Sequence, residues 1–322
     1  MDARATNAKA QRPYDQMSTL RRIGVDILRS PMLYLMLLPV LAYYILFCYK
    51  PMYGALIAFM DFVPGKPLME NKWVGLDNFV RFFQDRNFQR LMVNTVRISL
   101  TQIVFGFPMP ILFALLLNEV RSKKYLRVVQ TISYMPHFIS LVVVCGMIRQ
   151  FVNSDGAITQ LLVALGLASK RTLSLLTYPK YFLTVYTVSG IWQGMGYGSI
   201  IYLAALMNVS PELYEAAKID GAGRWRQTVH VTIPGILPTV AILLIMRMGN
   251  VLNVGYEKIL LLYNAQTYSV ADVISTFVYR LGLQQFDFSF STAVGLFNSV
   301  INVAILVLFN ALSRKFNQNS LW

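Results

Sequence analysis

Long apolar runs, separated by short charged stretches, recur along the whole chain. Six of them approach the roughly 20 residues that a helix needs to cross about 30 Å of hydrocarbon. They cover residues 33–49, 91–117, 126–151, 181–207, 235–255 and 288–312. The second, third and fourth contain Pro108, Pro110, Pro136, Gly194, Gly196 and Gly198, which kink a spanning helix or let another backbone approach. The pattern predicts an all-α, polytopic membrane protein with six transmembrane helices.

The polar segments between the runs suggest an orientation. Arg121, Lys123, Lys124 and Arg127 crowd one short loop, where the preference for cytoplasmic positive charge has most force. Both termini are then expected in the cytoplasm. Residues 1–30, with Arg4, Lys9, Arg12, Arg21, Arg22 and Arg29, lack the features of a cleaved signal and are expected to remain as a cytoplasmic segment. Within them Leu20, Ile23 and Ile27 recur at helical spacing, as in a helix lying at the headgroups or a solvated linker. Residues 31–322 are expected to form one domain. Segment 50–90, too polar to cross and rich in aromatic residues, is expected to fold as an extracytoplasmic cap.

Composition agrees with a bilayer protein: 56% of residues are hydrophobic, 14% are charged and the mean hydropathy is +0.50. The net charge of +14 is dispersed among the loops rather than gathered on one face, which argues against nucleic acid as a partner. Cys48 and Cys145 fall in apolar runs and read as packing residues.

Residues 208–234 stand out among the loops. Ser210 is placed to cap a helix, Pro211 suits its first position, and Glu212 favours the positive end of its dipole. Gly221 can close the helix in the left-handed conformation. A second amphipathic piece, 224–232, is expected to end at Pro234. Ala216 and Ala217 keep one face low while Glu215 and Asp220 project charge. Such a loop either receives a partner or merely tidies the surface.

Enzymatic signatures are missing from the chain. No G-x-x-x-x-G-K-[ST] phosphate loop, G-x-S-x-G turn or H-E-x-x-H pair occurs. His137 and His230 have no second ligand at metal spacing and read as structural. Polar residues do recur on the spans, at helical spacing: Asn94, Arg97 and Thr101; Ser189, Gln193 and Tyr197; Arg247, Asn250, Asn253 and Glu257; Ser291, Gly295, Asn298 and Asn302. They suit either a wet path for a hydroxyl-rich substrate or hydrogen bonds between helices. Arg247, some twelve residues into its span, is the most costly to place and would match a carboxylate bidentately.

The loop also carries a resemblance. Glu215-Ala216-Ala217, then after three residues Gly221, and after nine more Val231-Thr232-Ile233-Pro234, resemble the EAA loop of binding-protein-dependent ABC importer permeases, whose fold is MetI-like. The form Glu-Ala-Ala-Lys-Ile-Asp-Gly-Ala-Gly over 215–223 is similar to the carbohydrate-uptake, MalF-like branch. Gly75-Leu76-Asp77-Asn78-Phe79, Asn94-Thr95, Asp272-Val273-Ile274-Ser275-Thr276 and Ser320-Leu321-Trp322 resemble its LplB-type oligosaccharide permeases, including those for alginate and pectin fragments.

That resemblance implies a non-catalytic subunit of a bacterial inner-membrane importer. Its partners would be a second permease, two ATPase subunits carrying ATP and Mg, and an extracytoplasmic solute-binding protein. It implies an ATPase-coupling role for Glu215, Ala216, Ala217, Asp220, Gly221, Gly223 and Pro234. A channel or secondary transporter, or a membrane-embedded transferase, is the alternative, and neither accounts for the loop.

Overall fold

The computed structural model describes residues 28–167, 169 and 174–317. The segment of Leu20, Ile23 and Ile27, read as an interfacial helix or a solvated linker, and the ending Ser320-Leu321-Trp322 lie outside the described residues. The chain divides into two compact units, Met1–Leu56 and Ile57–Trp322. Most of the first span, Pro31–Phe59 (α1), belongs to the first unit. Pro31 starts it where a missing N–H costs nothing, and Leu, Met, Val and Phe surround it on every side.

The second unit opens with the cap segment. Strands Met60–Asp61 (β1) and Lys72–Trp73 (β2) pair antiparallel, with Met60 opposite Trp73. Asn71 closes the hairpin by accepting from Val63 N at 2.8 Å and donating to Pro67 O at 2.9 Å. Helix Asp77–Gln84 (α2) follows, and Asn78 Nδ2 donates back to Ala58 O at 3.0 Å.

Three further helices are both long and apolar enough to span, Phe88–Asn118 (α3), Arg224–Met248 and Phe288–Asn317. The bent pair Lys123–Phe138 (α4) and Leu141–Phe151 (α5) makes a fifth passage. The expected fourth span lies inside Pro179–Met207 (α7), whose 29 residues reach roughly 43 Å at about 1.5 Å each. It is long enough to cross but is not among the most apolar helices. Between α5 and α7 sits the short helix Ala157–Ala164 (α6).

Two expected spans differ in form. The third is not one rod: α4 and α5 meet at 101°. Pro136 lies in a tightened turn, and Ile139 and Ser140 then leave helical geometry with ψ of 135° and 137°. The fifth neither begins at Gly235 nor ends at Gly255. Its helix starts at Arg224, passes Pro234 and Pro238 without stopping, and ends at Met248 (α9). Proline removes a donor, and the strain is taken up in a π turn, Thr228–Thr232. Side chains occupy carbonyls there: Thr228 Oγ1 donates to Arg224 O at 3.0 Å, and Thr232 Oγ1 lies 3.4 Å from Gln227 O.

The turn after Met248 is held by neighbouring spans. Ser99 donates to Val251 O, and Asn302 Oδ1 accepts from Leu252 N at 3.0 Å. Helix Tyr256–Leu262 (α10) leads on to Ile274–Tyr279 (α11) and the last span, Phe288–Asn317 (α12). Between α10 and α11 lies the fully buried Asp272. It binds Arg280 through two bonds of 3.1 Å, Arg90 at 3.3 Å and Thr276 at 2.9 Å. Burial alone would lower Arg280, but the bidentate carboxylate prevails and holds its pKa above the ordinary value.

Helix α7 is the packing centre. A Cβ at Gly196 would stand 2.1 Å from Ser133 O of α4, so only glycine admits that backbone. Gly194, two residues earlier, faces open space. Lys258 of α10 is also pressed against α7. It is 7% exposed, its Nζ donates to Tyr186 O at 3.2 Å, and no carboxylate among the described residues pairs with it. Burial pushes its pKa down to about 8, against a weaker raising effect of Cys145.

Two outcomes follow from this packing. Gly196→Ala should destabilise the purified transporter by about 1–3 kcal/mol through overpacking, whereas Gly194→Ala should be neutral or gain up to about 1 kcal/mol of helix propensity. Thermal midpoints of the two variants, measured side by side, check the contrast. For Lys258 the folded pKa lies below the unfolded one, so the cost of burying the ammonium is fully present below about pH 8 and fades as pH rises toward 10.5. Lys258→Met should therefore raise the midpoint at neutral pH and flatten its rise between pH 8 and 10.5; equal slopes for parent and variant would refute the assignment.

Candidate functional site

The loop between α7 and α9 folds as its sequence dictates. Helix Pro211–Ile219 (α8) is capped by Ser210, whose Oγ accepts from Glu212 N at 3.3 Å. At the other end Gly221 adopts φ +74°. Gly221 N donates to Lys218 O at 3.0 Å and Ala222 N to Ala217 O at 2.8 Å, the two bonds of a Schellman closure. Gln227 Nε2 then donates to Ala222 O at 2.7 Å, fastening the closure to α9. Pro234 lies within α9 and does not terminate the second piece.

This short helix is fixed to the spans on both sides of it. Tyr214 Oη lies 3.1 Å from Thr232 Oγ1, and Tyr214 packs against the cluster of Ala114, Tyr202, Leu206, Val209 and Ile236, drawn from α3, α7, the turn after α7, and α9. A Cβ at Gly235 would stand 2.7 Å from Val209 Cγ2, so the close approach of α9 to the loop needs glycine there. Arg224 Nη1 pairs with Glu119 Oε2 at 3.4 Å, just beyond α3.

The opposite face is bare. Glu215, Ala216, Asp220, Gly221 and Gly223 are exposed and Ala217 is half-buried. Three large apolar side chains stand beside them in the open: Leu213, Ile219 at 87% exposure and Trp225 at 79%. Exposed apolar side chains grouped on α8 and the start of α9 mark a surface for another protein.

The polar residues of the spans separate into three settings. Asn94 is buried, and its amide donates to Ser269 O at 3.0 Å and Asp272 O at 2.9 Å. Thr95 Oγ1 accepts from Ile274 N at 3.1 Å. Arg97 points outward from the same helix and shares no environment with Asn94.

A second group gathers around the end of α9. Asn298 Nδ2 donates to Asn253 Oδ1 at 2.8 Å, Asn253 Nδ2 lies 3.4 Å from Asn250 Oδ1, and Asn250 N donates to Arg247 O at 3.1 Å. Asn298 and Asn302 are buried, and each keeps one amide atom without a partner, Oδ1 and Nδ2 respectively. Arg247, Asn250 and Asn253 are exposed, and Arg247 has no carboxylate partner among the described residues. Because α9 stops at Met248, Asn250 and Asn253 sit on a turn rather than on the helical stripe expected for them.

The third setting lies at the bend between α4 and α5. His137 stacks flat on Tyr197 of α7, with centroids 3.9 Å apart and planes 2° from parallel, and Phe138 meets Tyr197 edge-on. Gln193 is half-buried one turn away. In the sequence His137 reads as structural, Asp272 enters only through the resembling run 272–276, and Lys258 carries no role. For His137 a signal existed in its place beside Pro136; for Lys258, a lone cation ahead of the apolar run Ile259-Leu260-Leu261-Leu262 was the clue.

Comparisons with known proteins agree with this architecture. Residues 106–318 match the family model described as binding-protein-dependent transport system inner membrane component. The chain is 42% identical to Protein LplB of Bacillus subtilis (strain 168), covering 91% of this chain and 92% of that one. It is 40% identical to the polygalacturonan/rhamnogalacturonan transport system permease protein YteP of the same organism, covering 94% of each. Among solved structures, a bacterial alginate ABC transporter in complex with alginate pentasaccharide-bound periplasmic protein has a chain 44% identical, with a TM-score of 0.84 over 93% of this chain and all of that one. This chain therefore belongs to the family of binding-protein-dependent transport system inner membrane components, the permeases of ABC importers.

Proposed function

We propose that this chain forms half of the translocation path of an oligosaccharide importer and that α8 transmits movement to it from an ATPase. The observation that carries the reading is α8 itself: capped at both ends, bolted through Tyr214 to the ends of three spans, and bare on its outer face. A rigid element fixed on one side and open on the other can pass a push from a docked partner directly to α7 and α9. Outward and inward openings would then alternate as rigid-body states.

The partners in this reading are a second permease, two ATPase subunits holding ATP and Mg, and a solute-binding protein. The loop 208–234 and both termini face the cytoplasm, and this chain performs no catalysis. Arg247, Asn250 and Asn253 on one side and the His137–Tyr197 stack on another line the path. Amides exchange hydrogen bonds with sugar hydroxyls, and an aromatic face accepts the apolar face of a pyranose. The similar proteins named for polygalacturonan/rhamnogalacturonan and alginate transport favour a polysaccharide fragment with carboxylates, and the Arg247 guanidinium, which pairs with no carboxylate among the described residues, supplies the matching charge.

Gly221→Pro and Glu215→Arg should leave membrane insertion intact but reduce transport per ATP hydrolysed by about tenfold or more, since proline cannot adopt φ +74° and arginine reverses the charge offered to the ATPase. Normal coupling in both variants would remove α8 from the mechanism. In vesicles containing the complete transporter, Arg247→Gln should depress uptake of an acidic oligosaccharide by about tenfold, the order of one lost charge-assisted hydrogen bond, while sparing a neutral one of equal length. Equal effects on the two sugars would exclude Arg247 from selectivity.

A further inference from the structure

A groove of about 470 Å³ runs along the first half of α7 between α5 and α6, at the end of α7 away from α8. Its walls include Ile148, Phe151, Leu162, Val188 and Trp192. Thr184, Ser189 and, at its head, Tyr181 bring hydroxyls to it, and Ser189 already donates to carbonyls of its own helix, Val185 O and Tyr186 O. A sugar would find almost nothing there to bond. The groove therefore lies apart from the polar residues assigned to transport.

We propose that this groove is a binding site for one anionic phospholipid, with an acyl chain along α7 and the phosphate beside Lys180. Two measures favour that occupant over a helix of another subunit. From Lys180 at the head of the groove to Trp192 at its foot, twelve residues of helix rise roughly 18 Å, close to one leaflet of a hydrocarbon core about 30 Å thick. Dividing about 470 Å³ by that length leaves a cross-section on the order of 26 Å², about a third of that of a helix 10 Å wide. A channel of that width suits one hydrocarbon chain and leaves no room for a whole helix between its walls.

The head of the groove has the chemistry of a headgroup site. Lys180 is exposed, and its Nζ lies 4.6 Å from the centre of the Tyr181 ring, which itself lines the groove. Tyr178 meets Tyr181 edge-on at 6.2 Å, an aromatic pair at the start of a spanning helix, where rings settle at the membrane interface. The ammonium is thus held over an aromatic ring at the entrance.

The test is fluorescence of the complete transporter in nanodiscs carrying phospholipids brominated along the acyl chain, with the Trp192 signal taken as the difference between the parent and Trp192→Phe. Brominated phosphatidylglycerol should quench Trp192 saturably at low mole fraction, about fivefold more effectively than brominated phosphatidylcholine, the preference expected of one lysine near an anionic headgroup. Lys180→Gln should abolish that preference while leaving the quenching itself. Quenching that climbs in proportion to mole fraction would mean ordinary boundary lipid and overturn the site. Absence of quenching would mean that another subunit fills the groove, and would overturn it as well.

Discussion

Inside a bilayer no water is available to a peptide group, so each N–H and C=O that leaves a helix must find a partner in protein, at a cost of several kcal/mol otherwise. This chain leaves helical geometry at membrane depth in several places, and the side chains around those places are explained by it. Beyond Met248, Ser99 takes the carbonyl of Val251 and Asn302 meets the amide of Leu252. Near the cap, Asn94 and Thr95 serve the backbone of Ser269, Asp272 and Ile274. Polar side chains on two different spans, α3 and α12, thus hold irregular backbone in place. Freed from a continuous helix, the turn after α9 can present Asn250 and Asn253 beside Arg247.

The same constraint separates structural from functional polarity. Asn94 and Asn302 bond backbone groups of other segments, whereas Arg247 and Asn250 stay exposed with little to bind among the described residues. Asn298 and Asn302 join the two kinds, since each has one buried amide atom left over. At the other end of α9 the logic is mechanical. Tyr214, Gly235 and the Schellman closure at Gly221 make α8 a fixed extension of α7 and α9, and its apolar outer face waits for a partner.

What could be read in the sequence was what is decided locally. The cap at Ser210, the turn at Gly221 and the apolar runs each depend on a few neighbouring residues. The bend at Ile139 and Ser140 was legible only as a kink at Pro136, because a proline alone does not say whether a helix bends or breaks. Pro234 misled in the opposite direction, since the π turn before it lets α9 continue. Placement was hidden wherever partners lie far apart in the chain. Asn94 and Asp272 are 178 residues apart, and Lys258 looked like a loop charge until α10 folded against Tyr186. The two segments that resembled the same permease family, Asn94-Thr95 and 272–276, prove to be bonded to each other, a link no spacing rule could supply.

The account rests on α8 being the surface that an ATPase grips. Its most direct test is a photo-crosslinking amino acid placed at Ile219, with Val303 on the exposed side of α12 as control, in the complete transporter in membranes. The account predicts an adduct with the ATPase subunit at position 219 and none at 303. Failure of position 219 to reach the ATPase, in a transporter that still imports, would contradict it.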